Sequence, residues 1–87
     1  MLQKTDAGWQ LAGDLNQGNA AACLRDGRSR LAGADRLDLS GLGEIDTSAL
    51  AVLLAWQREM PGLVLQSPPE NLLGLADVYG VQSLLFP

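Results

Sequence analysis

The chain has 87 residues, enough for one domain, and its 47% hydrophobic and 18% charged content is that of a globular fold. Ten Asp and Glu against six Lys and Arg give a net charge of -4 and a pI near 4.4, which argues against a nucleic-acid face or an anionic-membrane face. The absence of His and the single Cys exclude the common zinc sites, His-based triads and an internal disulfide, so an enzyme is not expected and no cofactor is implied.

The N-terminus lacks the apolar core of a signal peptide, and no apolar run approaches a transmembrane length. With a lone thiol, the expectation is a cytoplasmic protein with no membrane insertion of its own.

The first segment, LQKTDAGWQLAGDL, places the turn signal Asp6-Ala7-Gly8 between two short runs, with Trp9, Leu11 and Leu15 alternating with Gln10 and Asp14. That pattern predicts a hairpin with one buried face. Ala20, Cys23, Leu24, Gly27 and Leu31 then recur at helical spacing, opposite Arg25, Arg28 and Arg30. The three arginines fall near the helix end, where cations suit the macrodipole. Gly27 weakens this helix, and Cys23 on its apolar stripe reads as an inert buried thiol.

RLDLS predicts a central strand over residues 36–39, followed by a glycine-containing loop over 40–45. TSALAVLLAWQREM predicts a strong helix over 47–60, stopped by Pro61-Gly62. LVLQ predicts a short buried strand over 63–66, and SPPE a capping box with Ser67 as N-cap and Glu70 reaching back. The next helix carries Leu72, Leu75, Ala76 and Tyr79 on one stripe, with Tyr79 in the core, and ends at Gly80. Residues 83–86 read as an edge strand. The order β-β-α-β-α-β-α-β implies an α/β domain spanning 1–87, with a mostly parallel, mixed sheet of about five strands and three helices mainly on one face.

On the helix from Thr47, Ala49, Leu50, Val52, Leu53, Leu54, Trp56 and Met60 share an apolar arc of roughly 200°. The other arc carries Thr47, Ser48, Ala51, Ala55, Arg58 and Glu59, flat and lightly charged. Such a surface suits close docking of another protein, although alanine also serves helix propensity alone. By themselves Thr47 and Ser48 read as helix caps. Asp38 and Asp46 read as acceptors for backbone amides that structure the glycine loop and the helix start, since no base or oxyanion site accompanies them.

LDLSGLGEIDTSALAVLLAW resembles the core motif of STAS domains, in which a strand ending in D-x-S leads through a glycine loop to an Asp–hydroxyl helix start. SPPENLLGLADVYGVQSLL is similar to that family's third helix and the turn after it. Within the family the likeness is greatest to the MlaB-type subunit of a phospholipid-transport ABC complex that maintains outer-membrane lipid asymmetry in Gram-negative bacteria.

That resemblance implies a non-catalytic subunit held at the inner membrane through an ABC-type ATPase. It marks Thr47 as a partner contact, then Ser48, then Ala51, Ala55 and Arg58, with Leu42 and Glu44 from the loop. The family's anti-sigma-factor antagonists carry a phosphorylated Ser at the position of Ser48, so the same resemblance allows a phosphorylation-controlled regulator modified at Ser48 or Thr47. Ala49 replaces the family's small Gly after the hydroxyl pair.

Overall fold

A computed structural model describes all residues, 1–87. Strands β1 (Leu2–Thr5) and β2 (Gly8–Leu15) form the expected antiparallel hairpin, with Thr5 paired to Gly8 across Asp6-Ala7. Gly8 adopts φ +128°, a conformation that the tight connection needs and that side chains resist. Helix α1 (Ala20–Arg30) follows, then β3 (Arg36–Ile45), helix α2 (Thr47–Glu59), β4 (Val64–Gln66), α3 (Glu70–Val78) and the short α4 (Gln82–Leu85). The sheet order is β1-β2-β3-β4, and β2/β3 and β3/β4 are parallel. It is thus a mixed four-stranded sheet with four helices, against the expected five strands and three.

Strand alternation explains the one-sided architecture. Leu2, Leu11, Leu37, Leu39 and Leu65 are buried on one face and join Leu31, Leu50, Leu53, Trp56, Leu72 and Leu85 in a single core. The opposite face carries a polar row across all four strands, Gln3–Gln10–Asp38–Gln66, in direct register. Such alternation is what one covered and one open face demand.

Residues 40–45, expected as a loop, continue β3. Glycine disfavours strands in isolation, but here it permits close approach. A side chain at Gly41 would crowd Ala12, and one at Gly43 would strike Asp14 on the neighbouring strand. The pairing with β2 therefore overrides local propensity. It does so with two bulges: Gln10 and Ala12 face Asp38 and Gly41, and Gly13 and Leu15 face Leu42 and Ile45, so β3 carries an extra residue each time.

Four further expectations change. Residues 83–86 lie in and beside α4, not in an edge strand, with Leu85 inserted into the core. The capping box at Ser67 does not form: α3 begins at Glu70 with Pro69 as its N-cap, and Ser67 instead takes φ +56°. Two prolines after Ser67 hold the chain extended and delay the helix. Tyr79 ends α3 and is 58% exposed, because the chain leaves the helical path there, before its stripe completes another turn. Thr47 and Ser48 do not cap α2, since that position belongs to Asp46.

Gly27, expected to weaken α1, sits directly beneath the Trp56 ring. The indole N–H donates to the Leu24 carbonyl at 3.1 Å, and Arg28 pairs with Glu59 through two bonds of 2.7 and 2.8 Å. These contacts lock α1 to α2 and fix the side of α2 that remains available. Cys23 is buried as expected, and burial raises its thiol pKa to about 11.

Candidate functional site

The start of α2 stands where β2 and β3 run past the ends of the other strands. Asp14 and Asp46 organise this end, and Asp38 acts further back in β3. Each bulge in β3 frees a backbone amide, and each freed amide meets a carboxylate: Ser40 N–H donates to Asp38 Oδ1 and Glu44 N–H to Asp14 Oδ1, both at 2.9 Å. A buried or crowded amide without such a partner would be costly. Asp38 does structure this segment, from inside the strand and not from its end. The Ser40 amide and hydroxyl, then Gln10, hold its carboxyl below the ordinary aspartate range.

Asp46 joins two segments far apart in sequence. Its Oδ2 accepts from Gln17 N–H at 2.9 Å, and its Oδ1 accepts from Ser48 N–H at 2.8 Å. The first bond ties the β2–α1 turn to the α2 start, and the second caps α2. These amides, Gln17 foremost, lower the Asp46 pKa. Asn19 Nδ2 completes the scaffold by donating to the Asp14 carbonyl at 2.8 Å.

The rigid start leaves Thr47 exposed and unneeded as a cap, with Ser48 half-buried beside the Asp46 carboxylate. Ala51 and Arg58 are exposed, and with half-buried Leu54 they continue a stripe from Thr47 at spacings of four, three and four residues. The sequence pattern puts Leu54 on the apolar arc. Its place on this stripe is nevertheless readable from its distance of seven residues from Thr47.

Two expected contact residues are not at the surface. Ala55 is only 9% exposed, because Val52, Ala55, Trp56 and Glu59 form the side of α2 turned toward α1. Leu42 is 7% exposed and belongs to the core, since the first bulge returns its side chain to the covered face. Glu44 is exposed at the tip.

The charge at the start of α2 has one sign, whereas the far end of the stripe carries Arg58. Asp14, Glu44 and Asp46 lie at or beside the α2 start, and residues 37–57 and 65–87 contain neither Lys nor Arg. Sequence patterns alone do not single out Asp14 or Asn71. Asp14 precedes Asn16 and Asn19 in a turn-forming stretch, which is the one signal that could have found it. Asn71 donates from Nδ2 to the Gly43 carbonyl at 2.9 Å, a contact no local pattern announces.

No group of three metal-ligating side chains converges anywhere in the chain, and no helix is long and apolar enough to cross a membrane. A one-sided mixed sheet with an aspartate-capped helix start as its prominent feature defines a small α/β domain of mixed-sheet type. The model of the MlaB-type STAS domain matches residues 2–86, and the chain belongs to the STAS domain family. A comparison with curated proteins finds no match.

Proposed function

We propose that this chain is a non-catalytic subunit that docks on an ABC-type ATPase of the Mla kind and supports assembly or activity of a phospholipid-transport complex at the inner membrane. The observation that carries the reading is the stripe Thr47–Ala51–Leu54–Arg58, exposed or half-exposed on a helix whose start is held by Asp46. The small side chains of Thr47 and Ala51 let a partner approach the first turns of the helix closely, and Thr47 Oγ1 is available to it. The match to the MlaB-type STAS model supports the same reading. The cytoplasmic placement follows from the partner.

A second reading, a regulator controlled by phosphorylation at Ser48 or Thr47, is kept open by membership of the STAS family. At Ser48 it is less well supported physically. A phosphate there would bring about -1.5 to -2 charge beside the Asp46 carboxylate, at an end that holds no Lys or Arg.

The test is a pull-down with the purified Mla-type ATPase of the same host. The wild-type chain is expected to be retained and Thr47→Arg to be lost. No retention of the wild type, or retention unaffected by Thr47→Arg, overturns the proposal.

A further inference from the structure

Three of the four large apolar side chains that the chain exposes lie together where α3 passes into α4. Val78 is 79% exposed, Tyr79 58% and Leu84 60%. Residues 78–87 contain no charged side chain. The core does not call for this exposure, since α3 and α4 already contribute Leu72, Ala76 and Leu85 to it. Single apolar side chains on a surface are ordinary, whereas a concentrated and uncharged group marks a contact with another molecule.

What surrounds α2 places this corner relative to the docking stripe. Val52, Ala55, Trp56 and Glu59 form the side turned toward α1, while Thr47, Ala51 and Arg58 are exposed. At about 100° per residue, Leu50 and Leu54 fall opposite the α1 side. α4 packs against α2 as well. With α1 on one side and the outer face open, α4 lies on the side of Leu50 and Leu54. Half-buried Leu54 thus bridges the stripe and α4, on which Leu84 is exposed.

The size of the stripe is a separate observation. Thr47, Ala51, Leu54 and Arg58 are single side chains on one helix, whereas a stable interface buries about 800 Å² on each partner. Aromatic side chains commonly anchor such interfaces. The stripe has none, and Trp56 of the same helix is fully buried. Tyr79 is the one exposed aromatic residue of the chain.

We propose that the ATPase docked on the α2 stripe also covers the α3–α4 corner, with Tyr79 and Leu84 received by an apolar, uncharged surface of that ATPase. The inference rests on the docking reading above and adds an apolar half to the same interface.

The experiment measures the affinity of the purified Mla-type ATPase for the full chain and its variants. Tyr79→Ala and Leu84→Glu are each expected to weaken binding by at least about tenfold. Tyr79→Phe and Leu84→Met keep the apolar contact and are expected to bind as the wild type does. Both positions are exposed, so melting temperatures should stay within about 3 °C of the wild type. Sedimentation of the chain alone accompanies these measurements.

If Thr47→Arg abolishes binding while Tyr79→Ala and Leu84→Glu leave it unchanged, the corner proposal is overturned and the docking reading stands. Absence of binding by the wild type overturns both. Self-association of the chain alone that Leu84→Glu abolishes assigns the corner to a second copy and overturns the proposal. Should Leu84→Glu unfold, Tyr79→Ala against Tyr79→Phe decides, and equal affinities of those two overturn it.

Discussion

The Trp56 indole occupies the space that a side chain at Gly27 would need, and its N–H reaches the Leu24 carbonyl one turn earlier on the same helix. α1 and α2 therefore pack through the Trp56 ring, the largest fully buried side chain, which lies against the bare backbone of Gly27. That contact fixes the rotation of α2 about its axis. It turns Ala55 inward and leaves Thr47 and Ala51 outside.

Gly27→Ala gains up to about 1 kcal/mol of helix propensity but forces the Trp56 ring to move, a typical overpacking cost of about 1–3 kcal/mol. Net destabilisation is expected, measured as a lower urea midpoint at unchanged slope. The cost should shrink in a Trp56→Leu background, where the ring is absent. A Gly27→Ala protein as stable as wild type would contradict the packing described.

Asp46 gives a pH signature. Its folded pKa is lowered, chiefly by the Gln17 amide and then by that of Ser48, so its contribution is present above the ordinary aspartate value of about 4. That contribution is lost as pH falls through the lowered folded value. Asp46→Asn keeps an acceptor for one amide but not for both, and is expected to be less stable than wild type near neutrality. The difference should narrow on acidification below about pH 4, while Asp38 and Glu59, also lowered, titrate alike in both proteins. Urea midpoints at several pH values check this, and a gap independent of pH would rule it out.

Ala51→Arg and Ala55→Arg separate surface from core. Ala51 is exposed, so its substitution should change stability by no more than about 0.5 kcal/mol while abolishing ATPase retention. Ala55 faces α1, and a guanidinium there should destabilise the fold by several kcal/mol, on the order of the cost of an unpaired buried charge. Thermal melts beside pull-downs distinguish the two. Equal melting temperatures for both variants would show that Ala55 is not enclosed.

Cys23 should be inert. With a pKa of about 11, about one thiol in a thousand is ionised at pH 8, and the side chain is 3% exposed. Reaction with a chromogenic disulfide reagent is expected to be at least a hundredfold slower than in urea-unfolded protein, a scale set by burial and thiolate fraction together. Rapid labelling of the folded chain would contradict this.

Several features are legible in the amino-acid sequence because their causes are local. The hairpin follows from Asp6-Ala7-Gly8 between alternating runs, and α2 from an uninterrupted set of helix formers between Asp46 and Pro61. The motif from Leu37 to Trp56 carries the STAS resemblance, and the family model matches residues 2–86. The exposure of Thr47 also follows from helical periodicity.

Features that sequence patterns miss depend on partners distant in the chain. Glycine at 41 and 43 signals a loop until β2 is laid beside it, when the same lack of side chains admits Ala12 and Asp14 and makes the segment a strand. Leu42 returns to the core because the first bulge shifts the alternation, which strict two-residue periodicity does not anticipate. Ala55 is buried by α1, and Asp46 is fixed by Gln17, a residue 29 positions away. Family, principal elements and exposed helix start are thus all written in the chain, since each is set by contacts within a few residues. Which neighbours of Thr47 face outward, and that β4 pairs with only the first three residues of β3, emerge only on folding, because both depend on how separate elements pack.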